Sequence, residues 1–323
     1  MYRSLVRSIL TAATLGLVAS TQVMAQSNWP DKPIKMILPF PPGGPSDMVI
    51  RVLSEKLQGS LKQPIVVENK AGAGGNIGAT LVARAAPDGY TWLWTPDSVL
   101  TVNPHIYKQV GFKTDDFIPV SLATEFSSTL VCHPKVGVKT LKELIAKANA
   151  TRMTYASGGA GVPGHLSMEL LLAMGGFDMN HIPFKGPAPA MQDVLAGQVD
   201  CGLLAGPTVL PHVRSGKLQA LAVSGAKRSP VLPEVPTLDE AGVKGYQADF
   251  GLALMAPKGT PEAIVSRFRQ AFVEALKSPD VVEKLKANDQ LVVASTEMEA
   301  AQSLAANSKK WGDVVRRIKL SVD

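Results

Sequence analysis

The stretch Leu38 to Asp47, "LPFPPGGPSD", lies between an apolar run and a helix-like pattern, and its reading decides the fold. A proline-stiffened double-glycine turn at that place exposes backbone N–H groups at the start of a helix, where they favour an anion. A phosphate-binding P-loop would read G-x-x-x-x-G-K-[ST], and this turn contains no lysine. Working outward, "IKMILPF" reads as a strand, and "SDMVIRVLSEKLQ" places Val49, Val52, Leu53 and Leu57 on one helical face. "PIVVEN" is a second strand and "GNIGATLVARAA" a second helix. "APDGY" is a turn that feeds the strand "TWLWT".

After "FIPVSLATEF" the cycle repeats: strand "STLVCHP", helix "LKELIAKANA", strand "MTYAS", a glycine loop, helix "HLSMELLLAMG", strand "HIPFK", helix "APAMQDVLAG", then strands "VDCGLLAG" and "LQALAVSG". The run "DFGLALMAP" reads as a strand returning to the first unit, and three helical segments follow it. The alternation predicts an α/β fold with a largely parallel sheet. A chain that crosses twice between two α/β lobes leaves a cleft between them. The expected lobes are residues 26–125 plus 248–323, and residues 126–247.

At the N-terminus, Arg3 and Arg7 precede the mostly apolar Ile9 to Val18 and the small-residue pattern Val23-Met24-Ala25. This predicts a secretory signal peptide over residues 1–25, cleaved after Ala25, and a mature protein in the periplasm. No later stretch is long and uncharged enough to span a bilayer. The net charge of +6 comes from scattered Lys and Arg with no basic run interleaved with aromatics, so nucleic acid is not an expected partner. Cys132 and Cys201 both sit in apolar stretches, and a disulfide and two buried thiols both remain open. The five histidines show no metal-ligand spacing, so neither a metal nor a cofactor is expected.

Three glycine loops stand between a strand and a helix, at residues 41–47, 69–78 and 156–165. Together, and without a P-loop lysine, they point to a small carboxylate held by backbone donors. Ser46 and Asp47 also read as ordinary N-caps. A dinucleotide site is the sharpest rival, since Gly72, Gly74 and Gly78 make a G-x-G-x-x-x-G variant with Asp97 about 20 residues on. It follows the second strand of its unit rather than the first. Ser224 to Lys227 match S-x-x-K without the companion motifs of that chemistry, and no G-x-S-x-G elbow exists. Nothing demands catalysis, although an exported enzyme and a secreted interaction module stand as rival classes.

The strings "KPIKMILPFPPGGPSDMVIRVL", "QPIVVENKAGAGGNIGA", "TYASGGAGVPGHL" and "IPFKGPAPAMQDVLAGQVD" occur in order over essentially the whole mature chain. In them the sequence resembles the exported solute receptors of tripartite tricarboxylate transporters, the Bug family. The resemblance implies a type II periplasmic-binding-protein fold, a monomer whose two lobes close on a solute, and delivery to membrane permease subunits. It implies that Phe40, Pro42, Gly43 and Gly44, with Gly72, Ala73, Gly74 and Gly75, hold one carboxylate, partly through ordered water. It also implies that Ser157, Gly158, Gly159 and Gly161, with Pro96 and Ser98, shape the rest of the ligand.

Three departures bear on specificity. Ser157 to Val162 offer fewer side-chain donors than the family's usual Ser-Ser-Gly-Asn-Gly-Thr, Leu204-Ala205 stand where an Asp-Asn pair is frequent, and Gly251 takes the place of a common tryptophan. A pocket without a buried acid disfavours an amino acid and suits a dicarboxylate or an aromatic acid. Trp92 and Trp94 share a strand face and read as core, His165 as a helix cap or a surface residue, and Lys185 as solvated.

Overall fold

In the computed structural model, which describes residues 29–322, β1 (Ile34–Leu38) runs into the glycine turn and α1 (Pro45–Leu61) leaves it. The leader expected over residues 1–25 and its cleavage site lie outside the described residues. Pro45 starts α1 because its fixed φ suits the first turn and its missing N–H has no intrahelical partner to lose. Val49, Ile50, Leu53 and Leu57 repeat every three or four residues and are buried. β2 (Ile65–Asn69) and β3 (Thr91–Pro96) flank β1 in parallel, with α2 (Asn76–Ala83) between them in sequence.

Where a strand is expected to begin at "STLVCHP", a 16-residue strand starts eleven residues earlier, β4 (Phe117–Cys132). Glu125, Ser127 and Ser128 break its apolar pattern because the strand there passes from one lobe to the other. Phe117 to Ser127 pair with the returning strand β9, and Ser128 to Cys132 pair with strands of the second lobe. That lobe comprises α3 (Leu141–Ala150), β5 (Thr154–Ser157), α4 (Pro163–Gly175), β6 (Asn180–Pro183), α5 (Pro187–Leu195), β7 (Cys201–Ala205), α6 (Gly206–Arg214) and β8 (Gln219–Val223). Sequence periodicity missed α6, whose Pro207 and Pro211 disguise it. The chain then returns through β9 (Asp249–Pro257), α7 (Glu262–Lys277), α8 (Pro279–Ala287), the short β10 (Leu291–Val292) and α9 (Glu297–Ile318).

The strand order is β2-β1-β3-β9-β4-β7-β5-β6, with β8 and β10 also on β4. The sheet is mixed rather than largely parallel. Parallel pairs are confined to β1, β2 and β3 in one lobe and β5, β6 and β7 in the other. β9 is antiparallel to both β3 and β4, and β4 to β7 and β8, because a chain that crosses between lobes and comes back must run the opposite way.

Trp92 and Trp94 are fully buried, as expected of core. Trp92 stacks on Phe268 with ring centroids 4.2 Å apart. The Trp94 indole N–H donates to the Ser46 carbonyl at 2.7 Å, which ties the core directly to the glycine turn. Cys132 and Cys201, register partners on β4 and β7, form a disulfide, one of the two alternatives left open by the sequence. Closing a loop of 69 residues contributes about 4 kcal/mol in the chain-entropy account.

Candidate functional site

Four helices bring their N-termini to one narrow cleft between the lobes. Gly44, Pro45, Ser46 and Asp47 bring α1 to it; Val162, Pro163 and Gly164 bring α4; Pro187 brings α5; Leu204 and Ala205 lead into α6. In each, a proline takes the first or second helical position. First-turn N–H groups have no partner within a helix, and each terminus carries a partial positive charge near half a unit, so four convergent termini form a positive potential without a cation. Phe40, Pro96, Phe126 and Leu204 supply apolar walls. Among the lining residues only Ser46 and Asp47 have polar side chains, and none is Lys, Arg or His.

Asp47 is the ionised group of this cleft, and it is engaged elsewhere. Its Oδ2 accepts the Gly43 N–H at 3.1 Å and the Arg51 Nε–H at 2.9 Å. Burial pushes its carboxyl up, but the Arg51 and Gly43 hydrogen bonds outweigh that and hold it below the ordinary value. Gly44, not Ser46 or Asp47, is the N-cap residue, and Asp47 reaches back from the first turn to fix Gly43 at φ +89°. Asn69 donates to the Phe40 carbonyl at 2.8 Å. Together with Trp94 on Ser46, the turn is therefore held from three sides.

The second-lobe loop is held by neutral groups. The Ser157 hydroxyl lies 2.6 Å from His181 Nε2 and meets both the N–H and the carbonyl of Gly159, at 3.2 and 3.0 Å. His165 Nδ1 accepts the Gly161 N–H at 3.1 Å. The His165 ring stacks on His181 at 4.2 Å, His181 stacks on Tyr155 at 4.8 Å, and the Tyr155 hydroxyl donates to Glu169. His165 is thus buried, which overturns the surface alternative of the sequence reading; its acceptor serves the loop ahead of the helix. Burial, and then the neighbouring His181, bring its pKa down to about 3, and burial brings His181 to about 4. Glu169 lies 3.8 Å from His165 Nε2, yet that carboxylate is already taken by Tyr155 and burial wins, so both imidazoles are neutral.

Of the residues singled out in the sequence, Phe40, Gly44, Pro96, Gly158, Leu204 and Ala205 line the cleft. Pro42 and Gly43 belong to the same turn without lining it, and the Ser157 hydroxyl is used inside its own loop. The 69–78 loop stands beside the cleft. A Cβ on Gly72 would meet Ile77, one on Gly75 would meet Val99 and Phe40, and one on Gly74 would meet the Tyr107 hydroxyl and the Ala160 carbonyl. Ala73 sits between them in a 3-10 turn, and Ser98 opens a buried helical turn after β3. Gly159 faces the Phe184 carbonyl, and Gly161 faces Asn103 and Ile106. Gly251 packs against Leu122 in the sheet, so its departure from the family bears on core volume. Lys185 is exposed, as expected. Sequence reasoning missed Phe126, Val162, Pro163 and Pro187 as lining residues, although a proline at each helix start was a visible signal. No group of three His, Cys, Asp or Glu among the described residues could hold a metal ion.

Residues 49–320 match the model of the tripartite tricarboxylate transporter family receptor. The chain belongs to this family. The receptor is 39% identical to protein BugT of Bordetella pertussis over 308 residues, covering 94% of each chain. It superposes on an R. palustris protein solved with adipate with a TM-score of 0.88 and 29% identity, covering 91% of this chain and 99% of the other. MatC from Rhodopseudomonas palustris with bound malate gives a TM-score of 0.85 and 33% identity over 89% of the receptor and all of MatC. The two-lobed α/β fold is that of periplasmic binding proteins, and these relatives are solute receptors rather than enzymes.

Proposed function

We propose that this receptor captures a small organic carboxylate in the periplasm and delivers it to the permease subunits of a tripartite tricarboxylate transporter. The observation that carries the reading is the convergence of four helix N-termini on an apolar cleft with no basic side chain. Such a site stabilises a carboxylate through backbone donors, and leaving those donors buried and unpaired costs roughly 1–3 kcal/mol each. The solved relatives with adipate and malate support the ligand class. Leu204 and Ala205 offer nothing to a cation, and Asp47 is already paired with Gly43 and Arg51, so a dicarboxylate or aromatic acid is preferred over an amino acid. The lobes, residues 26–125 with 248–323 and residues 126–247, close as units, and the receptor acts as a monomer.

A thermal-shift series with adipate, malate, benzoate and aspartate tests this reading. At about 100 times the dissociation constant, a ligand adds roughly 2.7 kcal/mol of stability. Adipate, malate or benzoate should stabilise more than aspartate, and Leu204→Asp should weaken the preferred acid at least tenfold in calorimetry, by repulsion and desolvation. Tightest binding of aspartate to the parent protein would overturn the specificity reading, and no stabilisation by any acid would favour an interaction module. Mass spectrometry of the exported chain should find an N-terminus at Gln26; a retained leader would contradict the periplasmic location.

A further inference from the structure

Beside the cleft the 69–78 and 156–165 loops meet at glycines, and one side chain joins them. The Tyr107 hydroxyl, on the first lobe just after the helical turn Asn103–Ile106, donates to the Ala160 carbonyl of the second-lobe loop at 3.1 Å. Beneath it Gly161, at φ +76°, fits so closely that a Cβ there would stand 2.4 Å from Ile106 Cδ1 and 2.8 Å from Asn103 Oδ1. On the other side Gly74, at φ +61°, leaves room for the same hydroxyl and carbonyl, which would lie 2.6 and 2.8 Å from an added Cβ. Asn103 is fully buried and fixes the first-lobe face, its Nδ2 donating to the Gly74 carbonyl at 3.0 Å and to Asn76 Oδ1 at 2.7 Å. His165 fixes the opposite face by accepting the Gly161 N–H.

We infer that Tyr107 is an affinity-determining positioning residue: its hydroxyl latches the two lobes shut across Gly74 and Gly161 without touching the ligand. This extends the carboxylate-receptor reading and rests on it for its effect on ligand, but not for its effect on closure. The glycines at 74 and 161 then serve lobe apposition, since neither lines the cleft. A side chain at either position would wedge the lobes apart. Gly44 and Gly186, which lie against Pro187 and Pro41, provide a second apposition without such a side-chain bond. The Ser229 hydroxyl, which donates to Asp289 at 2.6 Å, joins the lobes on the side of the strand crossings, away from the 69–78 and 156–165 loops that Tyr107 bridges.

The test is a distance measurement between nitroxide labels at Glu55→Cys on α1 and Lys142→Cys on α3, both exposed and on different lobes; the native cysteines are bridged and do not react. Without ligand, Tyr107→Phe should shift the closed-to-open ratio about fivefold toward open, the size of one typical hydrogen bond. Gly161→Ala should shift it further. In stopped flow with adipate and malate, release should quicken by a similar factor in Tyr107→Phe. A variant that only weakened the fold would lower its melting temperature and leave the label distances unchanged. Distances and release rates within twofold of the parent in both variants would overturn the latch. A parent that binds neither acid counts against the carboxylate reading alone, and the label distances then decide the latch by themselves.

Discussion

The two loops that face each other across the cleft are fixed by opposite means. The first-lobe turn depends on an ionised carboxylate, Asp47, bonded to Gly43 and Arg51. The second-lobe loop depends on two neutral imidazoles stacked in an apolar lobe, with Gly161 and Ser157 as their partners. The lowered Asp47 pKa contributes stability that is present above its ordinary value near 4 and is lost only as pH falls below that. The lowered His165 and His181 values contribute stability that is present above about 6.5 and is lost as pH falls toward 4 and 3. Acid therefore loosens one side of the cleft while the other still holds.

The largest expected effect is this acid asymmetry. Between pH 6.5 and pH 4.5 the parent should lose on the order of 3 kcal/mol of unfolding free energy through the histidine pair. His165→Asn retains an acceptor for Gly161 and should lose about half of that slope in urea titrations across pH. An unchanged slope would show that the pair is not what the second-lobe loop depends on. Next comes Asp47→Ala, which removes the charged acceptor of Gly43 and should cost about 2 kcal/mol at pH 7. Because Arg51 is largely exposed, most of that loss is the Gly43 bond rather than the ion pair. The variant's slope between pH 6.5 and 4.5 should match the parent's, and a flattened slope would break the division between the loops.

The smallest effect, of opposite sign, belongs to Asp97, fully buried behind Pro96 and hydrogen-bonded by Asn307. Burial pushes its carboxyl up to about 7. Its contribution is fully present below about 4 and lost as pH rises through 7. Asp97→Asn should therefore gain about 1 kcal/mol on the parent in going from pH 6 to pH 8, measured by the same titrations. A difference between variant and parent that stays constant over that range would mean the carboxyl is ionised in the fold.

The order of strands and helices was largely legible because each α/β step carries its own apolar period, and the cleft because the chain crosses twice between two α/β units; the prolines that start its helices went unread. What escaped were features set by distant partners. The first part of β4 was not read as strand because Glu125 and Ser127 sit at the lobe crossing, where neighbours change. The role of His165 was hidden by its place at a helix start. Yet the helix behind it is apolar almost all round, the mark of an element buried on every side, and that pattern was a usable warning. The 69–78 loop has the composition of an anion-binding turn, and nothing local to it reveals that Ala160 lies across from Gly74.

The proline-led helix starts around the cleft separate two tasks that most binding sites entangle. On the proposed reading main-chain donors provide the hold on charge, and main-chain donors survive almost any exchange of the side chains at Phe40, Phe126 or Leu204. Replacing those walls would then reshape what the rest of a solute must look like while leaving the proposed grip on its acidic end intact. A receptor built this way can be retuned to new nutrients by a few apolar substitutions, with no charged intermediate to pass through.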